Sequence, residues 1–126
     1  MADFLITNKN YDLKYLLKAE ELAMLALSVV LFCQLNFAWW WYLVLFLAPD
    51  ISMLGYLINQ KAGTYSYNFF HHKLVAILVG LGGFYIHNEV YMLIGIIIFG
   101  HSSFDRVLGY GLKYTDSFKN THLGKI

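Results

Sequence analysis

Four long apolar stretches, separated by short polar joins, dominate the pattern of hydrophobic and polar positions along the chain. A helix that spans a bilayer needs about 20 mostly apolar residues, and each stretch approaches that length. Joins this short make neighbouring helices run antiparallel. The pattern therefore predicts an all-α fold, an integral membrane bundle of four transmembrane helices forming a single domain of residues 1–126. The predicted helices cover residues 14–35, 39–58, 68–86 and 90–110, and a polar tail of residues 113–126 lies at the surface.

Two other classes of protein compete with this interpretation. A cleaved signal peptide would explain the first stretch, but its charged leader would extend to Glu21, and no small-residue cleavage site follows Cys33. A soluble helical bundle needs charged outer faces, and the runs Leu74–Gly83 and Leu93–Phe99 contain no charged residue. The stretches are therefore interpreted as retained membrane helices.

The composition mainly restricts the partners and the types of site that this protein can have. Hydrophobic residues make up 59% of the chain and charged residues 13%, against about 45–50% and 25% in soluble domains. The formal net charge of +1 gives no field that would attract nucleic acid. A single cysteine excludes an internal disulfide framework and a cysteine-based zinc site. The lipid bilayer is the expected partner, and the apolar surface left on so few helices favours a homodimer.

The cations give an orientation. With four spans, the N-terminus, the second join and the C-terminus lie on the same side of the membrane. All nine Lys and Arg residues fall in or next to these three regions. The positive-inside rule then predicts that both termini are cytoplasmic. The tryptophans at positions 39–41 fit an aromatic belt at the opposite interface.

Ionisable residues inside the predicted helices are the candidate chemistry, because such residues are costly in a bilayer and usually mark function. Asp50 and His101 each lie about 11 residues below the outer end of their helix, or about 16 Å at 1.5 Å per residue. Asp105 follows His101 by one turn on the same face. These three residues are the predicted catalytic group.

Imidazole nitrogen and carboxylate oxygen together are typical ligands of a divalent metal. The predicted metal ligands are Asp50, His71, His72, His101 and Asp105. Only one of the two adjacent histidines can face the bundle core in a regular helix. The residues predicted to support the ligands are Asn68, Glu20, Glu21, Tyr56 and Tyr67, and Arg106 is a predicted headgroup or anion-binding residue. Haem on two histidines is an alternative cofactor, and each residue taken singly also fits a structural role.

Several runs of residues are recognisable together. They are Ala48–Tyr56, Tyr67-Asn68 followed by His71-His72, His101 to Asp105-Arg106, Gly109–Lys113 and Thr121–Gly124. In these runs the chain resembles a family of small bacterial integral membrane proteins catalogued as a domain of unknown function, from about Lys18 to Gly124. The resemblance implies a multi-pass protein of the bacterial cytoplasmic (inner) membrane and brings no established activity. A looser similarity, a Pro-Asp pair with histidines on later helices, is to membrane-bound metal-dependent hydrolases.

Three functions stay open at this stage. The leading hypothesis is a metal-dependent hydrolase that acts on a lipid-like substrate at the inner leaflet. The second is a proton-coupled transporter or channel in which Asp50, His101 and Asp105 relay protons. The third is a non-catalytic membrane protein or partner-binding protein in which the polar residues only hold the helices together.

Overall fold

The computed structural model describes the backbone of residues 2–125 and the side chains of residues 13–124. It is mostly helical, as predicted. The α-helices are α1 (Ala2–Cys33), α2 (Trp40–Phe46), α3 (Gln60–Phe70), α4 (Lys73–Tyr85) and α5 (Glu89–Leu108). A 3-10 helix, Ala48–Leu57, follows α2 after the single residue Leu47. Strands β1 (Lys113–Tyr114), β2 (Ser117–Thr121) and β3 (Gly124–Lys125) form a small antiparallel sheet in that order, here called the tail sheet.

The third predicted helix is divided in the structure. The chain ends α3 at Phe70 and begins α4 at Lys73, because His72 has an extended backbone, with φ −96° and ψ 125°. The residues 59–68, predicted as a join, form most of α3, whose first turn is capped by Asn59 Oδ1 accepting from the backbone N–H of Ala62 at 2.7 Å. The 13 residues of α4 cover about 20 Å at 1.5 Å per residue.

The helix α5 is the centre of the bundle. Both α1 and α4 pack along it, and α2 contacts it as well. A buried core joins α1, α2 and α5 through Phe32, Tyr42, Leu93 and Ile97. The start of α5 lies beside the end of α1, where the Asn36 side chain donates to the Glu89 carboxylate at 2.9 Å. The other end of α5 therefore lies part-way along the longer helix α1, beside the tail sheet. This end of the protein is called the lower end.

Among the residues that the structure describes, two segments are long and apolar enough to cross a membrane by length and composition, Trp40–Leu57 and Glu89–Leu108. Only 17% of the first segment is buried inside the protein, against 44% of the second. Large hydrophobic side chains are also exposed along α1 and α4. This outward-facing apolar surface is the kind that a membrane covers. The number of four spans and the side on which the termini lie stay predictions.

The predicted polar tail folds back onto α3 as the tail sheet. The Asn68 side chain donates to the Lys113 carbonyl at 2.8 Å and accepts from the Lys113 backbone N–H at 2.7 Å. The Phe118 ring meets the rings of Tyr56 and Tyr67 edge-on, with centroids 5.4 and 5.7 Å apart. These contacts hold the tail sheet against the part of α3 that leads to His71.

Candidate metal centre

Four side chains from three parts of the chain meet near the lower end of α5. They are Asp50 of the 3-10 helix, His71 after α3, and His101 and Asp105 of α5, here called the His/Asp cluster. One possible ligand atom from each lies within 4.8 Å of all the others. Both imidazole Nε2 atoms are 3.1 Å from Asp50 Oδ1. Both are also 3.4 Å from Asp105 Oδ2.

The proline at position 49 leaves free the backbone carbonyl that orients His101. Proline has no N–H, so it cannot donate to the carbonyl of Phe46 in the 3-10 pattern that follows. The next N–H, from Asp50, goes to Leu47 at 3.1 Å instead. The Phe46 carbonyl is left free, and His101 Nδ1 donates to it at 2.6 Å. Pro49, which leaves this carbonyl free, thus directly precedes Asp50, a member of the cluster.

The other histidine is oriented in the same way by its own helix. His71 Nδ1 lies 2.8 Å from the Tyr67 carbonyl oxygen, one turn earlier. A carbonyl oxygen can only accept, so Nδ1 carries a hydrogen in both histidines, and in the neutral imidazoles each Nε2 is left as an acceptor. Carboxylate oxygens are acceptors too. Four acceptor atoms therefore face one another, an arrangement that a cation stabilises.

Burial differs across the cluster. The side chains of His71 and His101 are 3% and 1% exposed and that of Asp105 is 14% exposed, whereas Asp50 is 42% exposed. The cluster is therefore closed around the imidazoles and open at Asp50. A closed ligand set with one accessible side is typical of a catalytic metal site, whereas structural sites are closed all round.

Tyr67 supports two members of the cluster at once. Its hydroxyl donates to Asp105 Oδ2 at 3.0 Å. Its ring stacks on the His71 imidazole, with centroids 3.8 Å apart and planes 8° from parallel. Partners of this kind fix the orientation of metal ligands and tune their basicity.

Lys113 lies behind Tyr67 and was not among the predicted site residues. Its side chain is buried, with Nζ 4.1 Å from the Phe118 ring centroid and 4.9 Å from that of Tyr67. Within the part of the chain that the structure describes, this Nζ has no hydrogen-bond partner. Burial lowers the pKa of the Lys113 ammonium, and the charge of Asp105 opposes that shift. No local signal in the sequence distinguishes this lysine from the other cations of the tail.

Several predicted site residues lie outside the cluster. His72 caps α4 instead, with Nδ1 accepting from the Leu74 N–H at 3.1 Å. Asn68 contacts the backbone of Lys113 and not an imidazole. The Tyr56 hydroxyl is 3.4 Å from that of Thr64.

The predicted acidic and basic residues of the lower end form a separate group. Glu21 pairs with Lys73, and its other oxygen lies 3.8 Å from Arg106. Glu20 is exposed at the preceding position of α1. Arg106 therefore lies next to the cluster along α5 and contacts Glu21.

The donor set suits a divalent ion and does not suit haem. Two imidazole nitrogens with two carboxylate oxygens match borderline and hard ions such as Zn²⁺, Fe²⁺ or Mn²⁺. Axial histidines of a haem need an open plane between them. Here the carboxylates of Asp50 and Asp105 occupy that space, 3.1 and 3.4 Å from both Nε2 atoms.

The fold and the cluster together define the class of protein. It is a mostly helical protein with two candidate membrane spans and a His/Asp cluster near one end of its central helix. Searches of curated proteins and of solved structures found no match. The chain belongs to the family described as "Domain of unknown function (DUF4260)", whose model matches residues 14–126. The resemblance to an uncharacterised family is thus confirmed. The description assigns no activity, so function has to be argued from the site.

Proposed function

We propose that this protein is a metal-dependent membrane enzyme that hydrolyses a lipid-like substrate. In this proposal one divalent ion is held by Asp50, His71, His101 and Asp105. The observation that carries it is the convergence of four acceptor atoms whose possible donors are already engaged elsewhere. With both imidazoles neutral and no metal bound, two carboxylates and two imidazole lone pairs would repel one another in a largely buried place.

The chemistry follows from the ligand set. A divalent ion held by these four residues would supply Lewis acidity, which lowers the pKa of bound water towards neutrality. The exposed edge of Asp50 gives a substrate its approach, whereas Asp105 is held from behind by the Tyr67 hydroxyl. Asp50, His101 and Asp105 are therefore proposed as the catalytic group.

The proposal includes the membrane topology. α1, Trp40–Leu57, α4 and α5 would make four crossings in the bacterial cytoplasmic membrane, with both termini in the cytoplasm. Support comes from the two apolar segments and from the tryptophans at positions 39–41, which lie at the opposite end from the cluster. The cluster would then face the inner leaflet. Pairing of two copies into a homodimer is part of the proposal and is measured by the mass of the protein in detergent.

Proton-coupled transport, the second candidate, has less support. A relay across the membrane needs polar groups on the outer side of the cluster. That side holds the apolar core of Phe32, Leu93 and Ile97. The Tyr42 hydroxyl of this core bonds to Ser28 at 2.6 Å beside Gly100, as one isolated polar pair. An enzyme open to one side fits this distribution better than a carrier.

Metal content tests the proposal, and two adjacent histidines supply a matched pair of variants. Purified protein, reconstituted with Zn²⁺, Mn²⁺ or Fe²⁺ and desalted, should retain about one equivalent of one of these ions. His71→Ala should lose it and His72→Ala should keep it, since His72 only caps α4. Circular dichroism shows whether both variants remain helical.

Two outcomes would contradict the proposal. If the wild-type protein retains no stoichiometric metal, the proposed metal centre is refuted. The protein could instead bind stoichiometric metal but show no EDTA-sensitive hydrolysis of fluorogenic phospholipids, carboxylic esters or amides in mixed micelles. That result would refute the enzymatic function and leave a metal-binding membrane protein. In an active preparation, Asp105→Asn should lower the rate much more than Asp116→Asn, which changes an exposed aspartate of the tail.

A further inference from the structure

We propose that a groove between α1 and α4 binds one acyl chain of an anionic phospholipid, whose headgroup lies against Lys73 and Arg106. The groove has a volume of about 710 Å³ and is lined mainly by apolar side chains of α1, α4 and α5. Ligand sites commonly enclose about 300–1,000 Å³. This inference goes beyond the proposed hydrolysis and does not depend on the metal.

The groove exists because two helices flank α5 with a gap between them. Gly95 of α5 approaches α4 so closely that an added Cβ would lie 2.6 Å from the Ala76 carbonyl oxygen and from Gly80. This close approach makes the floor of the groove. Leu31 of α1 and Ile77 of α4 stand on its two sides. The result is a narrow apolar channel that faces outward.

The two ends of the groove differ in charge. Along α5 it runs from Glu89 to Phe99, a rise of about 15 Å. The Glu89 carboxylate lines one end and would repel an anionic headgroup there. The headgroup of a bound lipid is therefore placed at the other end, just beyond Phe99.

Positive charge lies at that level. Lys73 Nζ is 5.7 Å from the centroid of the Phe99 ring, which closes the groove. Lys73 and Arg106 both contact Glu21, so three charged side chains in contact leave one positive charge in excess. Glu20, the other carboxylate near Lys73, is exposed, where solvent and salt screen its charge. An ammonium beside a guanidinium is suited to a phosphate group.

Native mass spectrometry of the protein in a neutral detergent tests this site. With phosphatidylglycerol and phosphatidylcholine of equal chain length, one phosphatidylglycerol per chain should stay bound, at least tenfold more tightly than phosphatidylcholine. Ile77→Trp fills the groove and should abolish this binding, and Gly80→Leu gives a second filling variant, because an added Cβ there makes only an ordinary contact, 3.8 Å from Gly95 Cα. Leu78→Trp, at an exposed position outside the groove, is the matched control.

Variants of the charged end separate the headgroup from the chain. Lys73→Gln combined with Arg106→Gln should reduce phosphatidylglycerol binding to the level of phosphatidylcholine. Lys119→Gln, in the exposed tail, should leave the preference unchanged. His71→Ala should also keep it, so loss of the metal and loss of lipid binding can be told apart.

Three results would overturn the proposal. Equal retention of the two lipids removes the role of the charged end. Undiminished lipid binding in both filling variants removes the groove. Displacement of phosphatidylglycerol by millimolar inorganic phosphate would mean that an ion and not a lipid occupies the site.

Discussion

Replacing Tyr67 with phenylalanine removes one hydroxyl beside the His/Asp cluster and keeps the ring that stacks on His71. The lost group donates to Asp105 Oδ2 at 3.0 Å. Removing such a partner of a metal ligand weakens metal binding by about 10- to 100-fold. This range corresponds to about 1.4–2.8 kcal/mol of binding free energy, similar to the roughly 1.5–3 kcal/mol of one hydrogen bond to a charged group. Tyr67→Phe should therefore bind one equivalent of metal with a Kd raised by that factor.

The assay is a competition between the purified protein and a fluorescent zinc chelator in detergent at pH 7. Tyr56→Phe is the matched control, because its hydroxyl contacts Thr64 and no member of the cluster. Its Kd should stay within about twofold of wild type. An unchanged Kd in Tyr67→Phe would refute the reasoning, since it would mean that the hydroxyl does not act on a metal ligand.

Other predictions concern the tail sheet and the end of α5. Burial lowers the pKa of His122, so its stabilisation is present above the unfolded pKa of about 6.5 and lost as pH falls through the folded pKa; the Tm of wild type should fall there more than that of His122→Phe. Asn68→Ala removes both side-chain bonds to the Lys113 backbone and should cost about 1–3 kcal/mol, measured by denaturant unfolding, and expose the tail to proteases. Gly109 has φ +94°, so Gly109→Ala should cost about 1–2 kcal/mol in the same assay, and Gly82→Ala, in open space, should not.

The meeting of Asp50 with His101 could be predicted from the sequence because helical rise is fixed. Each residue lies the same distance below the start of its own segment, so depth alone brings them to one level. Asp105 follows His101 by four residues, so the helical periodicity places it one turn away on the same face. Regular geometry thus carries three of the four members of the cluster.

The choice between His71 and His72 could not be made from the sequence. It depends on a break in the helix between them, and the run Phe69–Leu74 contains neither proline nor glycine. The break becomes intelligible only with the folded partners. The His72 side chain accepts from the Leu74 N–H in the first turn of α4, while the carbonyl of His71 accepts from Ser102 Oγ of α5 at 2.8 Å.

The tail sheet is the part that local patterns missed most completely. Its contact with α3 joins Asn68 to Lys113 across 45 residues. Short strands of mixed polar residues carry little periodicity, and their pairing is decided by the surface against which they pack. The same distance in sequence concealed Lys113 as a neighbour of Tyr67.

In the proposed membrane topology, the winding of the chain after Pro49 also affects the thickness of membrane that the segment would cross. The segment Trp40–Leu57 has 18 residues, which as a regular α-helix would extend about 27 Å. Because Ala48–Leu57 is a 3-10 helix, with a rise of about 2.0 Å per residue, the segment extends about 32 Å and matches a hydrocarbon core of about 30 Å. In a bilayer about 5 Å thinner the segment would have to tilt, and the tilt would move Asp50 relative to His101 on the neighbouring helix.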